Sequence, residues 1–144
     1  TEFNYNFFSY GIFSHRHYPE IDQEFKKFNE KISFSFIPHL LPVFSGLQST
    51  IYIDKGNNKC NDYINALKIF YKDCRFVKLF ENEKIPKLND IKNTNNVALK
   101  IFEDYSKNKI VIISCIDNLV KGAAGQAIQN MNLMNGFDEQ ESLI

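Results

Sequence analysis

Lys109 to Ile116 reads Lys-Ile-Val-Ile-Ile-Ser-Cys-Ile, apolar almost throughout. A strand apolar on both faces must be covered on both, so it belongs in the middle of a sheet. Directly behind it the chain changes character. Between Gly122 and Ala127 lie three of its five alanines and two of its six glycines, in a sequence otherwise rich in Lys, Asn, Ile and Phe. Gly122 and Gly125 leave backbone open at a helix start, which suits a phosphate, a carboxamide or another helix. The alternative is close packing of helix on sheet. The amides Gln126, Gln129 and Asn130 follow, free to face solvent, a cofactor or another domain.

The remaining elements follow from periodicity. Residues 2–13 are aromatic-rich and expected to be extended. Pro19 suits a first helical position and Glu20 the first turn. Ile21, Phe25 and Phe28 then recur at helical spacing, predicting a helix to about Lys31. Ile32, Phe34 and Phe36 alternate with serines, as in a half-buried strand. Pro38 to Gly46 is a rigid loop. Leu47 to Ile53 alternates again and predicts a second strand. A polar turn precedes a helix over 62–72 with Ile64, Leu67 and Phe70 as its stripe. Arg75 to Phe80 is a strand, and Glu81 to Asn93 a loop with at most one short edge strand. Val97 to Glu103 and Lys109 to Ile116 are strands joined around Ser106-Lys107-Asn108. The last helix runs from about Lys121 or Ala123 to Met134, with Ala124, Ala127, Ile128, Met131 and Met134 as its apolar stripe. Gly136 is placed to end it. The order predicts an α+β fold: a mostly antiparallel or mixed sheet with helices on one face. There is no strand, Gly-rich loop and helix unit, so no dinucleotide fold is expected within the chain.

Composition narrows the function. The 144 residues suffice for one domain with its own core, and 44% are hydrophobic. Formal net charge is zero, which argues against nucleic acid or an anionic membrane as partner. No apolar run is long enough to span a bilayer. Fifteen of the 17 basic residues are Lys, and only Arg16 and Arg75 are Arg; a rare Arg is expected to be there for its planar fork. Cys60, Cys74 and Cys115 form no CxxC pair and read as reduced thiols of a cytoplasmic protein, with Cys115 a core residue. A start at Thr1 points to an excised or processed piece.

Candidate chemistry concentrates in Ser14-His15-Arg16-His17-Tyr18-Pro19-Glu20. His17 falls just before a helix, and Glu20 is one turn on, so its carboxylate can reach back toward the imidazole. The carboxylate favours the imidazolium and the helix N-terminus disfavours it. Opposed influences of this kind suit a general acid/base. Arg16 offers a fork for a carboxylate or phosphate. The plainer reading makes His17 a helix cap and Arg16 a surface cation. His15 and His17 could also share a metal with His39, but no Cys or acidic cluster completes the set, and no metal is expected. His39, between Pro38 and Pro42, is either a substrate contact or a histidine satisfied by backbone.

Taken together, His15-Arg16-His17-Tyr18-Pro19-Glu20-Ile21, Pro38-His39-Leu40-Leu41-Pro42, Asn93-Thr94-Asn95, the stretch from Ile116 to Met134, and Gly136-Phe137-Asp138-Glu139 resemble one family: N-acetyl-gamma-glutamyl-phosphate reductase of arginine biosynthesis. The runs occur in family order across almost the whole chain. The resemblance implies a two-domain NADP-dependent enzyme of which residues 1–144 are the C-terminal catalytic and dimerisation domain. The N-terminal Rossmann domain, with its Gly-rich loop and its Gly-Cys-Tyr nucleophile, is not in this sequence. The helix over 121–136 would then pack against that domain. The implied chemistry is conversion of N-acetylglutamyl 5-phosphate to the semialdehyde and phosphate: thiolate attack, loss of phosphate, and hydride from NADPH. On this resemblance His17 is the acid/base and Glu20 the carboxylate that orients it. His15, Arg16 and His39 are candidates for holding substrate. Asn118 and Lys121 are candidates for contacts near the cofactor or domain boundary. A homodimer or homotetramer is implied.

One departure is clear. Where the family usually has Pro-x-x-Arg-Gly, this chain has Pro42-Val43-Phe44-Ser45-Gly46; if that Arg binds phosphate or substrate, its loss weakens affinity or shifts the task to Arg16 or a Lys. Two rivals keep different functions: a stand-alone dimerisation or interaction module without chemistry, and a relative acting on another acyl phosphate such as aspartyl phosphate. The intact His17 and Glu20 speak against the first.

Overall fold

The computed structural model describes residues 6–81 and 83–144; residues 2–5 of the expected extended opening lie outside them. The chain divides into two compact units, Thr1–Phe44 and Ser45–Ile144.

In the first unit, strand β1 (Phe8–Ser9) pairs antiparallel with β2 (His39–Leu40), and the Tyr10 N–H donates to Pro38 O at 3.1 Å. Helix α1 spans Tyr18–Phe28, with proline in its opening turn, Glu20 in its first turn and Lys26 and Lys27 in its last. These charges match the helix dipole. Its last residue, Phe28, is three short of the expected Lys31, and Asn29 caps it in extended conformation. The strand expected over Ile32–Phe36 is absent. The apolar residues of that stretch are half-buried and its serines exposed, so the alternation is real, but no strand among the described residues pairs with it. Phe34 instead stacks on Tyr18 of α1, ring centroids 4.7 Å apart, and meets Phe25 edge-on at 5.1 Å. Tyr18 and Phe25, seven apart, lie on one helix face.

The second unit is a four-stranded mixed sheet in the order β3-β6-β5-β4. Its strands are β3 (Leu47–Asp54), β4 (Val77–Leu79), β5 (Val97–Glu103) and β6 (Lys109–Ile116). As expected from its apolar run, β6 is interior, antiparallel to both β3 and β5, while β4 runs parallel to β5. The register puts Ala98 and Cys115 side by side. Both are fully buried with Ile91, and Phe80, Leu88 and Ile113 pack around them.

Helix α2 (Cys60–Phe70) begins where Asp62 accepts the Lys59 N–H at 2.7 Å. Its Ile64 and Leu67 meet Leu79, Leu99 and Ile101 across a cleft on one face of the sheet. Phe70, expected in the same stripe, is exposed and packs edge-on to Tyr71. The loop expected over 81–93 holds one helical turn, α3 (Leu88–Ile91). Through Leu88 and Ile91 it covers the Ala98–Cys115 face, which alternates with the face under α2.

After β6 the chain makes a helical turn over Val120–Ala124, kinked at Ala123 (φ −149°, ψ −107°), and then forms α4 (Gly125–Asn135). Gly136, left-handed at φ 71°, ends α4 by donating to Asn132 O and Leu133 O. The expected apolar stripe is not the buried one. Gly125, Gln129 and Asn132 are buried, whereas Met131 and Met134 are 50% and 85% exposed. The helix is polar inward because it docks on polar groups. Asn95 sits under it, and the tail folds back so that Asn132 Nδ2 donates to Glu141 O at 2.9 Å.

This docking explains Gly125. A Cβ there would lie 2.4 Å from Asn95 Oδ1 and 2.8 Å from Val120 Cγ1. Asn95 Oδ1 is buried without a conventional partner, and the bare Gly125 Cα–H is what faces it, a weak C–H···O contact. Of the two sequence readings, close packing holds at Gly125, while a Cβ at Gly122 would meet nothing nearer than 3.6 Å. Gly125→Ala should therefore cost about 2 kcal/mol of stability and lower the melting temperature by roughly 5 °C. Gly122→Ala should change it by less than about 0.5 kcal/mol. Thermal unfolding of both variants checks this, and equal effects would remove the steric argument.

Candidate active site

The histidine segment is built on a tight turn in the first unit. Gly11 has φ 56°, and a Cβ there would come within 3.2 Å of His15 Cδ2, so the turn closes over the imidazole only because residue 11 is glycine. The Ser14 N–H donates to Gly11 O and the Tyr18 N–H to His15 O, each at 3.0 Å. His15 is then ringed by aromatics: His17 at 4.8 Å, Tyr10 at 5.3 Å and Phe36 at 5.4 Å between centroids, all edge-on.

The His17 backbone N–H donates to His15 Nδ1 at 3.2 Å. With Nδ1 accepting, a neutral His15 carries its proton on Nε2 and presents it as a donor. His17 sits at the helix N-cap with no side-chain capping bond, which removes the capping role. Its ring neighbour is His15. Among the described residues no hydrogen bond or ion pair joins His17 to Glu20; the two share the start of α1 and no more. Arg16, His17 and Glu20 are exposed. His39 lies on β2 and stacks on Phe7, centroids 5.2 Å apart and planes 12° apart. The structure thus brings His15 and His17 together and gives His39 a different ring partner. No group of three His, Cys, Asp or Glu side chains is placed to hold a metal among the described residues.

The second set lies in the second unit, just past β6. Asp117, 2% exposed, ends the strand and gathers donors. Its Oδ2 accepts the Asn93 N–H at 2.8 Å, and its Oδ1 accepts the Leu119 and Val120 N–H groups at 2.9 and 3.3 Å. Burial alone would raise this carboxyl; the three N–H groups, with Lys92 nearby, outweigh it and hold it below the ordinary value. Asn118 is exposed, yet its Oδ1 accepts the Gly46 N–H at 2.6 Å. That bond ties the Ser45-Gly46 loop to the end of the central strand. Lys121 Nζ donates to Gln129 Oε1 at 2.6 Å and lies 5.5 Å from the Phe76 ring centre. Burial lowers the Lys121 pKa, and Glu139 and Cys74 pull part of it back.

Sequence reasoning assigned no role to Asp117 or Asn95, and it left Gln129 facing solvent, a cofactor or another domain, whereas Gln129 is buried. Asn93-Thr94-Asn95 was visible as a run, but its task is set in three dimensions. Asn93 takes φ 60°, a left-handed conformation that Asn tolerates. Thr94 Oγ1 donates to Ile91 O at 2.8 Å. Asn95 Nδ2 donates to Gln129 Oε1 at 2.9 Å. Arg75, the other rare arginine, braces the tail: its Nη1 donates to Gln140 Oε1 at 3.1 Å, and Nη2 lies 4.0 Å from Asp138.

With this geometry in place, the comparisons with known proteins become readable. The sequence model described as "Semialdehyde dehydrogenase, dimerisation domain" matches residues 1–118. The chain belongs to this family. It is 46% identical over 146 residues to the N-acetyl-gamma-glutamyl-phosphate reductase of Caldicellulosiruptor bescii, covering 99% of this chain and 42% of that protein. It is 46% identical to the reductase of that name in Methanococcus maripaludis, covering 97% and 41%, and 41% identical to a probable chloroplastic one of Arabidopsis thaliana, covering 94% and 34%. Against these relatives the chain spans about two fifths of their length. A crystal structure of aspartate semialdehyde dehydrogenase II from Vibrio cholerae, complexed with ASA, matches with TM-score 0.56 at 22% identity, over 68% of this chain and 29% of that one. At that identity it speaks for the semialdehyde-dehydrogenase α+β fold alone.

Asp117 gives this segment a pH signature. Its folded pKa lies below the ordinary carboxylate value, so it contributes stability above about pH 4 and loses it as pH falls through the folded value. Asp117→Asn should destabilise the chain by about 2 kcal/mol at pH 7, and the gap to the unaltered chain should close below about pH 4. Urea unfolding at a series of pH values measures this. A gap independent of pH would mean the charge is not what the N–H groups stabilise.

Proposed function

We propose that the chain is the C-terminal catalytic and dimerisation domain of an NADPH-dependent N-acetyl-gamma-glutamyl-phosphate reductase, acting in arginine biosynthesis on N-acetylglutamyl 5-phosphate. The observation that carries this is identity of 46% over 99% of the chain to a protein of that name. The clustered His15, Arg16 and His17 at the start of α1 support it.

In this reading His17 holds and moves the proton at the reacting carbonyl oxygen, and it favours the thiolate of a cysteine supplied from outside this chain. Its exposed ring leaves both nitrogens open to a reacting partner. Glu20, in the same helical turn, orients that ring when substrate closes the site. His15, through Nε2–H, and the exposed Arg16 bind the substrate's phosphate or carboxylate. His39 is a further substrate contact. Ser45, in place of the usual Arg, leaves Arg16 the one guanidinium of the histidine segment.

Asn118 and Lys121 are assigned to the cofactor. A half-buried ammonium that donates to Gln129, and an exposed carboxamide three residues before it in sequence, suit the phosphates and amide of a nicotinamide dinucleotide. NADP, when bound, supplies the hydride. Most of its binding surface belongs to an N-terminal Rossmann domain. The outward apolar side of α4, with Met131, Leu133 and Met134 all at least half exposed, is the surface proposed to meet that domain. The family match stops at residue 118, before this helix begins. Leu47, Ile51 and Tyr52 are exposed on edge strand β3 and suit a homodimer or homotetramer contact. The three unpaired thiols suit a reducing cytoplasm, and no helix is long and apolar enough to cross a membrane among the described residues.

In the full-length enzyme, His17→Gln should lower kcat by about 10²–10⁴-fold with KM for substrate nearly unchanged, and Arg16→Leu should raise that KM. The chain alone should show no reductase activity. Steady-state kinetics with acetylglutamyl phosphate settles the matter; full activity of His17→Gln would leave only a dimerisation module.

A further inference from the structure

Lys121 is not a free surface lysine. Its Nζ donates to Gln129 Oε1, the same oxygen that accepts Asn95 Nδ2, while Gln129 Nε2 donates to Glu139 Oε1 at 2.7 Å. The orientation of the Gln129 amide follows from its neighbours. An ammonium can only donate and an ionised carboxylate can only accept. So Oε1 must face Lys121, and the NH₂ group must face Glu139. The amide is 9% exposed, with no solvent to satisfy a flipped arrangement. Phe76, 4% exposed, lies beneath the ammonium.

We propose that Gln129 is a positioning residue: oriented by Glu139, it immobilises the Lys121 ammonium so that the cation meets the anionic groups of NADPH already in place. The inference rests on the cofactor reading of Lys121 and deepens it. A lysine otherwise loses the rotamer freedom of four torsions on binding. Here that loss is incurred at folding, and preorganisation appears as affinity. The charge of Glu139 reaches Lys121 through one amide rather than by direct contact, so the ammonium is held without being neutralised.

The test uses the full-length enzyme and reads NADPH binding by fluorescence titration, with steady-state kinetics and a thermal melt alongside. Gln129→Met should raise Kd for NADPH about tenfold and leave kcat within about twofold. Glu139→Leu, at a partly exposed position, should raise Kd about threefold. Glu139→Gln, which keeps an acceptor for the Gln129 NH₂ group, should bind as the unaltered enzyme does or tighter. In a Lys121→Met background none of the three should matter further, which a merely structural role would not produce. If Gln129→Met melts too early to assay, the Glu139 pair decides. Should Lys121→Met weaken NADPH while Glu139→Leu leaves Kd unchanged, the relay is overturned and the cofactor reading stands. Unchanged Kd in Lys121→Met overturns both.

Discussion

A carboxylate shut away from water has to be met by donors, and Asp117 meets three that belong to two different parts of the second unit. The Asn93 N–H comes from the turn before β5; the Leu119 and Val120 N–H groups come from the chain's own next turn. Through these bonds the end of the central strand sets where Asn118 and Lys121 leave the sheet. Asn118 passes the constraint on to Gly46, and the Asn93–Asn95 turn passes it on to α4 through Gln129. Each bond is modest by itself. Together they link the buried Asp117, Asn95 and Gln129 to groups nearer the surface.

Helix α4 shows what such a polar anchor does to an amphipathic pattern. Its buried side carries Gly125, Gln129 and Asn132, and its apolar side faces outward. In water that is an unfavourable arrangement for a surface helix. It fits the proposed docking, in which the helix has a polar neighbour within this chain and an apolar one beyond it. The small residues serve both. Gly125 lets Asn95 close on the helix start, and Ala123, Ala124 and Ala127, all exposed, leave the outer side low enough for a second surface to approach.

Much of the second unit was legible because its elements are set by local rules. Strands β3, β5 and β6 fall where alternation or continuous apolarity puts them, within a residue at either end. Pro19 and Glu20 mark the start of α1, and Gly136 marks the stop of α4. Two expectations failed for a shared reason. Ile32–Phe36 alternates like a strand, and Ala124–Met134 recurs like a buried stripe. Periodicity reports which residues share a side, and it does not report what that side meets. Phe34 meets Tyr18 and Phe25 rather than a strand partner. Phe70 follows the stripe of α2 one turn beyond the sheet and is left exposed.

The candidate site divides the same way. Residue types and spacing were enough to single out His15, Arg16, His17 and Glu20, because chemistry-bearing side chains in short runs are a local signal; Asn118 and Lys121 entered only through the resemblance to a family. Which of them share a hydrogen bond was not local. The tautomer of His15 depends on the His17 N–H lying over Nδ1, and the direction of the Lys121 ammonium depends on Gln129, Asn95 and Glu139, as much as 44 residues apart in sequence. By itself the sequence determined the longer elements of the second unit, the mixed α+β class and the residues capable of chemistry, since propensity, periodicity and side-chain type act over a few residues. Tertiary structure alone decided that α4 is polar inward, that Gly125 is indispensable and Gly122 is not, and that Asp117 anchors the segment. Those outcomes depend on burial and on donor–acceptor matching between distant segments, which exist only once the chain has folded.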